Sequence, residues 1–186
     1  MGDPAAQRQG MTFEEAARLD PDEQSGELDS GRWMPVTKNT WRHGEIVSNV
    51  NVLLRLYARA HPGWSVSVGD PGTKLKRDPD VLRGPDVGIV RADRRPTGKG
   101  AEGWLEGAPD VAVEVIGDGQ TPSELAKKAL EYLAAGAKMV WVLDAEPQQL
   151  IVYSPPNHVR VLGPDEILEG ADVLPGFACK VRELFE

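Results

Sequence analysis

Pro109-Asp-Val-Ala-Val-Glu-Val-Ile116 is the stretch on which the fold turns. A short, nearly continuous apolar run entered through a proline suits a central strand buried on both faces. Its one interruption is Glu114. Downstream, Gly117–Gln120 reads as a loop. Thr121 then serves as N-cap and Pro122 as first residue of a helix, and Gly136 ends it. Met139-Val-Trp-Val-Leu-Asp144 is a second apolar strand. Strand, helix and strand within about 35 residues form a βαβ unit, whose strands run parallel. The chain is therefore of the α/β class.

Working outward, Leu150–Ser154 is a further strand, and Asp165 to Glu186 a short strand pair with a last helical turn. Upstream, Asp86–Val90 is a strand entered through Gly84-Pro85, and Arg91–Glu106 a polar loop. Trp64–Val68 alternates as a strand does, and Gly69–Gly72 is a turn. Ile46, Val50, Leu53, Leu54 and Tyr57 recur at helical spacing in a long helix from Arg42 to Ala60, stopped by His61-Pro62-Gly63. Glu27 to Met34 reads as two strands around a Ser30-Gly31 turn. Thr12-Phe-Glu-Glu15 is a capping box opening a short helix to about Leu19, before Pro21. Residues 1–10 are small, polar and aperiodic, and are expected to be a disordered tail. With no repeat or linker, residues 11–186 are expected to form one domain.

The 186 residues carry one cysteine, Cys179, and a net charge of −8. A lone cysteine forms no internal disulfide, and no zinc-type spacing is present. A reducing, cytoplasmic setting is expected. No apolar run approaches the roughly 20 residues that span a bilayer. The acidic balance argues against nucleic acid, but it is uneven. Residues 1–31 hold eight acids and two bases, whereas 74–99 hold eight bases and four acids. That local excess fits either a phosphate-facing edge or a solvated loop.

Glu114 is the chemical anomaly. An unpaired carboxylate in a doubly buried strand costs several kcal/mol or stays neutral. A cationic partner, protonation or a metal would relieve it; a place at the strand's exposed end is the bland alternative. Asp86 opens the other apolar strand, and a turn aspartate capping backbone amides is its bland reading. Neighbouring strands lie about 4.8 Å apart, so the two carboxylates can meet one hard cation. Mg²⁺ suits such a pair, since it takes one or two carboxylates and keeps water. Asp110 fits less well as a third ligand, roughly 13 Å along the same strand face.

Several blocks in order resemble one family: Met11-Thr-Phe-Glu-Glu15, Glu27-Leu-Asp-Ser-Gly31, His43-Gly-Glu-Ile-Val47, Gly84-Pro-Asp-Val-Gly-Ile-Val90, Pro109 to Ile116, Lys128-Ala-Leu-Glu-Tyr-Leu-Ala-Ala-Gly136, Val140-Trp-Val-Leu-Asp144 and Asp172-Val-Leu-Pro-Gly-Phe177. The chain resembles the Uma-two family of restriction-endonuclease-like proteins, within the PD-(D/E)XK nuclease superfamily, from about Met11 to Phe185. The resemblance implies a restriction-endonuclease-like core, a mixed β-sheet flanked by helices. It implies a Mg²⁺- or Mn²⁺-dependent endonuclease acting on DNA, with Asp86 and Glu114 as metal-holding acids. A homodimer is compatible with it.

The sequence departs from the superfamily pattern two residues after Glu114, where Ile116 replaces lysine. Some members supply that lysine from the following helix, and Lys128 matches the position. Helix geometry bears on this independently. Taking Leu125 as 0° and 100° per residue, the apolar face spans roughly −20° to 100°, with Lys128 at about 300°, beside it, and Lys127 at about 200°, away from it. A lysine stem snorkelling to water is the bland reading of Lys128. In some members a helical glutamate joins the metal site, which makes Glu45, read one turn into the first long helix on the edge of its apolar face, a candidate third ligand. His43 reads as a base or as a packed or capping histidine. Asp118 and Gln120, in place of the family's usual Ser-Pro-Ser-like loop, are substrate contacts or plain loop.

Two other function classes remain open at this point. One is a nuclease-like fold that only binds nucleic acid or protein, favoured by the displaced lysine and the acidic charge. The other is a two-carboxylate hydrolase on sugars, which would need carboxyls about 5–9.5 Å apart in a groove lined by aromatics, and Trp104 and Trp141 do not obviously line one.

Overall fold

The computed structural model describes residues 10–20, 25–36, 38–117, 119–156 and 158–186. Of the tail read at residues 1–10, only Gly10 is described; residues 1–9, Pro21 and Asp118 lie outside these. The strands are β1 (Gly26–Asp29), β2 (Arg32–Pro35), β3 (Trp64–Val68), β4 (Thr73–Lys76), β5 (Val81–Arg83), β6 (Val87–Arg91), β7 (Leu105–Glu106), β8 (Val111–Val115), β9 (Met139–Asp144), β10 (Gln149–Ser154), β11 (His158–Leu162), β12 (Ile167–Glu169) and β13 (Ala178–Lys180). The helices are α1 (Phe13–Ala16), α2 (Trp41–Ala60) and α3 (Pro122–Ala134).

Six strands form the main sheet in the order β11-β10-β9-β8-β6-β3. The pair β8 and β9 is parallel, as the βαβ reading requires, and the other pairs are antiparallel. All five residues of β8 are buried. Strand alternation explains how. Val111, Val113 and Val115 join Ile46, Val50 and Leu54 of α2 in one core. Ala112 points the other way and packs with Leu125, Ala129 and Tyr132 of α3. Helix α3 begins at a Thr121–Glu124 capping box and gives way to Gly136 at φ 103°, a left-handed angle that glycine adopts without strain. The mixed sheet with helices on its faces is the α/β architecture expected.

A second sheet, β2-β1-β5-β4-β7, lies beside the first. Its hairpin β1–β2 turns at Ser30 and Gly31, both at positive φ, as a two-residue turn needs. A small separate core holds it, made of Met11, Phe13, Ala16, Leu19, Leu28, Trp33 and Leu82. The capping box of Thr12 and Glu15 is present, although α1 ends at Ala16.

The basic 74–99 stretch is not a plain loop. It contains β4, β5 and β6, and most of its cations are engaged inside the protein. Lys74 pairs with Glu106, Arg77 with Glu14 and Asp80, and the buried Arg83 with Glu27, Asp29 and Glu131. The guanidinium of Arg91 lies 4.8 Å from the Trp64 ring centroid. Asp110, 2% exposed, accepts from the Arg91 amide at 3.0 Å and pairs with Arg94 at 3.4 Å and Lys138 at 2.8 Å. Burial opposes its charge, but these donors hold its carboxyl below the usual range. Asp110 is thus a structural anchor.

Arg94 also donates to the carbonyl of Ala108 at 2.7 Å. Arg94→Glu should therefore lower the unfolding free energy by about 1–3 kcal/mol, because it leaves a buried carboxylate and a carbonyl short of donors. Lys99→Glu, at an exposed position, should stay within about 0.5 kcal/mol. Urea denaturation of the two variants measures the contrast.

Candidate active site

A cleft of about 590 Å³ opens between the two sheets, and Glu27, His43, Arg83, Asp86, Glu114 and Lys128 line it. Its position follows from β6 and β8. Their register pairs Val87 with Val113, so its continuation sets Asp86, one residue before β6, opposite Glu114. Asp86 is 7% and Glu114 5% exposed. The structure thus brings the two acids together on adjacent elements, both buried.

Each is held separately. Asp86 Oδ2 accepts from the Val115 amide at 2.7 Å and lies 3.3 Å from His43 Nε2. Glu114 follows Ala112 onto the α3 face, where Tyr132 Oη donates to its Oε1 at 2.7 Å. Lys128, one turn earlier on α3, puts Nζ 3.9 Å from Glu114 Oε2 and 2.9 Å from Glu27 Oε1. The helical phase read from the sequence is thus the one observed. Lys127 is half exposed on the other side and pairs with Asp29 rather than standing free in water.

Glu45 is not brought to the site. It is exposed and pairs with Arg42 on the surface. From α2 the site receives His43 instead, the histidine read as a base or as a packed or capping residue, and helical phase explains the difference. Relative to Ile46, His43 falls at about 60°, among Val50, Leu54 and Tyr57, while Glu45 falls at about −100°. Gln120 lines the cleft, but its Oε1 accepts from the Gly117 amide and closes its own loop. Trp141 is fully buried and Trp104 packs on the small core, so neither forms the aromatic groove a glycosidase would need.

Tyr132 also touches Glu114, Glu27 touches its partner Lys128, and Arg83 touches Glu27, although the sequence reading assigns these three no role. Tyr132 alone carried a signal, at helical spacing i+4 from Lys128. Among the described residues, no three of His, Cys, Asp and Glu converge into a ready-made metal cage. The donor set is the Asp86–Glu114 pair. It fits a hard ion that keeps most of its water, and not zinc, which wants four protein ligands or three.

The electrostatics agree with a site short of positive charge. Burial pushes the carboxyl of Glu114 up to about 8; Lys128 pulls it down, and Asp86 and Glu27 raise it further. For Lys128, burial opposes the charge, but Glu114 and Glu27 more than offset it and raise its pKa. For His43, burial likewise acts against the charge and the Asp86 carboxylate outweighs it. Asp70, at the cleft rim, is raised by burial and then by Asp86 and Glu27.

The family model described as "Putative restriction endonuclease" matches residues 12–182. The chain belongs to the Uma2 family. A solved structure supports the fold of this Uma2 protein. It is a "putative nuclease belonging to DUF820" from Anabaena variabilis, 20% identical over 94% of this chain and 97% of that one, with a TM-score of 0.81. No curated protein matches the chain. No helix among the described residues is long and apolar enough to cross a membrane.

The Glu114 shift has a measurable consequence. Its folded value, about 8, lies above the ordinary 4.5. Between those pH values the folded state keeps a proton that the unfolded chain has released, so stability falls as pH rises through the window. His43, also raised, adds stability at low pH that is lost in the same direction. In metal-free buffer the urea midpoint should therefore fall from about pH 5 to pH 8. Glu114→Gln, which imitates the protonated acid, should remove the larger part of that fall.

Proposed function

We propose that this Uma2 protein is a divalent-metal-dependent endonuclease that hydrolyses DNA phosphodiester bonds. Asp86 and Glu114 would hold Mg²⁺ or Mn²⁺, and Lys128 would act at the scissile phosphate. The observation that carries the reading is the pair of opposed, buried carboxylates with a lysine ammonium 3.9 Å from one of them. Bound there, the ion would supply a water of lowered pKa and polarise a phosphate oxygen.

The chain's own residues supply the rest. The Val115 amide and His43 fix Asp86, leaving little rotamer freedom to lose on binding. Tyr132 fixes one oxygen of Glu114, so its other oxygen is the one facing Lys128. Lys128, kept charged by its neighbours, can orient the attacking water and stabilise negative charge growing on the phosphate. The apolar surroundings of β8 keep bulk water from weakening these interactions.

A second reading, a fold that only binds nucleic acid or protein, draws on two observations. The cations of 74–99 are mostly engaged internally, and Lys128 lies closer to Glu27 than to Glu114. Plasmid cleavage in Mn²⁺ separates the two readings. The nuclease reading expects Lys128→Met to lower the cleavage rate at least tenfold, about the loss of one transition-state donor, with metal affinity changed less. Glu114→Gln should abolish metal binding, read by calorimetry, and Lys127→Met should leave both within about twofold. Wild-type protein that retains DNA or a partner but cuts nothing under either metal would give the binding reading the lead.

A further inference from the structure

Glu27 is the cleft carboxylate that neither sequence spacing nor the metal pair explains. It stands on β1, in the second sheet, with its side chain 11% exposed, and it is held on three sides. Its Oε1 accepts from Lys128 Nζ at 2.9 Å and from the Gly84 amide at 3.3 Å. Its Oε2 accepts from Arg83 Nη1 at 3.4 Å. Arg83 is fixed in turn: it is 4% exposed, donates to Glu131 at 2.8 Å, and also donates to the Leu28 carbonyl. Glu27 therefore cannot swing to follow its partners.

One oxygen of Glu27 thus touches two parts of the site. It binds the ammonium on α3, and it ties down Gly84 at the head of the turn that delivers Asp86. A lysine carried by a helix has a four-carbon stem that otherwise extends to water. A charge-assisted hydrogen bond to a rigid carboxylate confines it. We propose that Glu27 is a positioning residue: it holds Lys128 over Glu114 and registers α3 against the Asp86 turn. The assignment deepens the nuclease reading and rests on it for its catalytic consequence. It also gives a physical reason why a lysine displaced from the strand to the helix can serve the site.

Glu27→Gln keeps the shape and a neutral oxygen facing Gly84 and Lys128, so it removes the charge that strengthens the Lys128 bond, and it turns the Arg83 side from acceptor to donor. Expected are a fall in kcat of about tenfold or more, with KM and Mn²⁺ affinity within about threefold. In the Glu27→Gln background, Lys128→Met should cost less than about threefold further, because both changes disable one unit. A readout independent of cleavage is native acetylation followed by mass spectrometry. Lys128 should react several-fold faster in Glu27→Gln than in wild type, with Lys76 and Lys99 unchanged as exposed references. Additive losses in the double variant, Mn²⁺ binding weakened tenfold or more, or unchanged labelling of Lys128 would each overturn the assignment. Wild-type protein that cuts no DNA would instead count against the nuclease reading, while the labelling still decides whether Glu27 holds Lys128. Should Glu27→Gln not fold, Glu27→Asp retains the charge for Arg83 but draws the carboxylate back by one methylene. Faster labelling of Lys128 and lower kcat then support the assignment, and wild-type values overturn it.

Discussion

A carboxylate in the middle of a doubly buried strand is the constraint around which this protein is arranged. β8 must be apolar on both faces to sit between α2 and α3, yet Glu114 occupies the α3 face. Left alone, that group would cost several kcal/mol or remain protonated. The surrounding elements answer with one hydroxyl and one ammonium, while a second acid across the register adds to the cost. The answer is incomplete, since the carboxyl stays raised to about 8. A cation is what would complete it.

The path from Glu114 outward orders the rest. Lys128 and Tyr132 reach it because they lie one turn apart on α3, whose apolar stripe faces the sheet. Asp86 reaches it because β6 pairs with β8 in a fixed register. Glu27 and Arg83 belong to a different sheet with its own small core, and they enter through Lys128. Buried ion pairs of this kind add little net stability but specify arrangement, since breaking one leaves an uncompensated charge.

The parts legible in the sequence are those set by local periodicity. The run Asp110–Ile116, the Thr121 cap and the strand from Met139 place the βαβ unit, and the phase of α3 separates Lys128 from Lys127. The parts not legible depend on pairing across long separations. Glu27 and Lys128 are 101 residues apart, and no spacing rule connects them. The strands β4 and β5 are short, and β11 is an edge strand with few buried positions, so none has a strong pattern. The roles inside the basic stretch are not legible because a count of charges ignores partners: Arg83 is a cation in the sequence and a buried brace in the fold. Glu45 misled for a smaller reason, an error of helical phase at the start of α2.

Three of the ties between the second sheet and α3 are charged: Arg83 to Glu131, Lys127 to Asp29 and Lys128 to Glu27. Charge screening does not weaken apolar packing, whereas exposed ion pairs are screened over about 8 Å at physiological ionic strength. Of the three, Lys127 to Asp29 is the most exposed and the first to loosen. The cleft is thus bounded on that side by a clasp whose grip is set partly by the solution. The other two ties are largely buried and are screened much less, so the clasp combines one salt-sensitive tie with two that hold as the ionic strength rises.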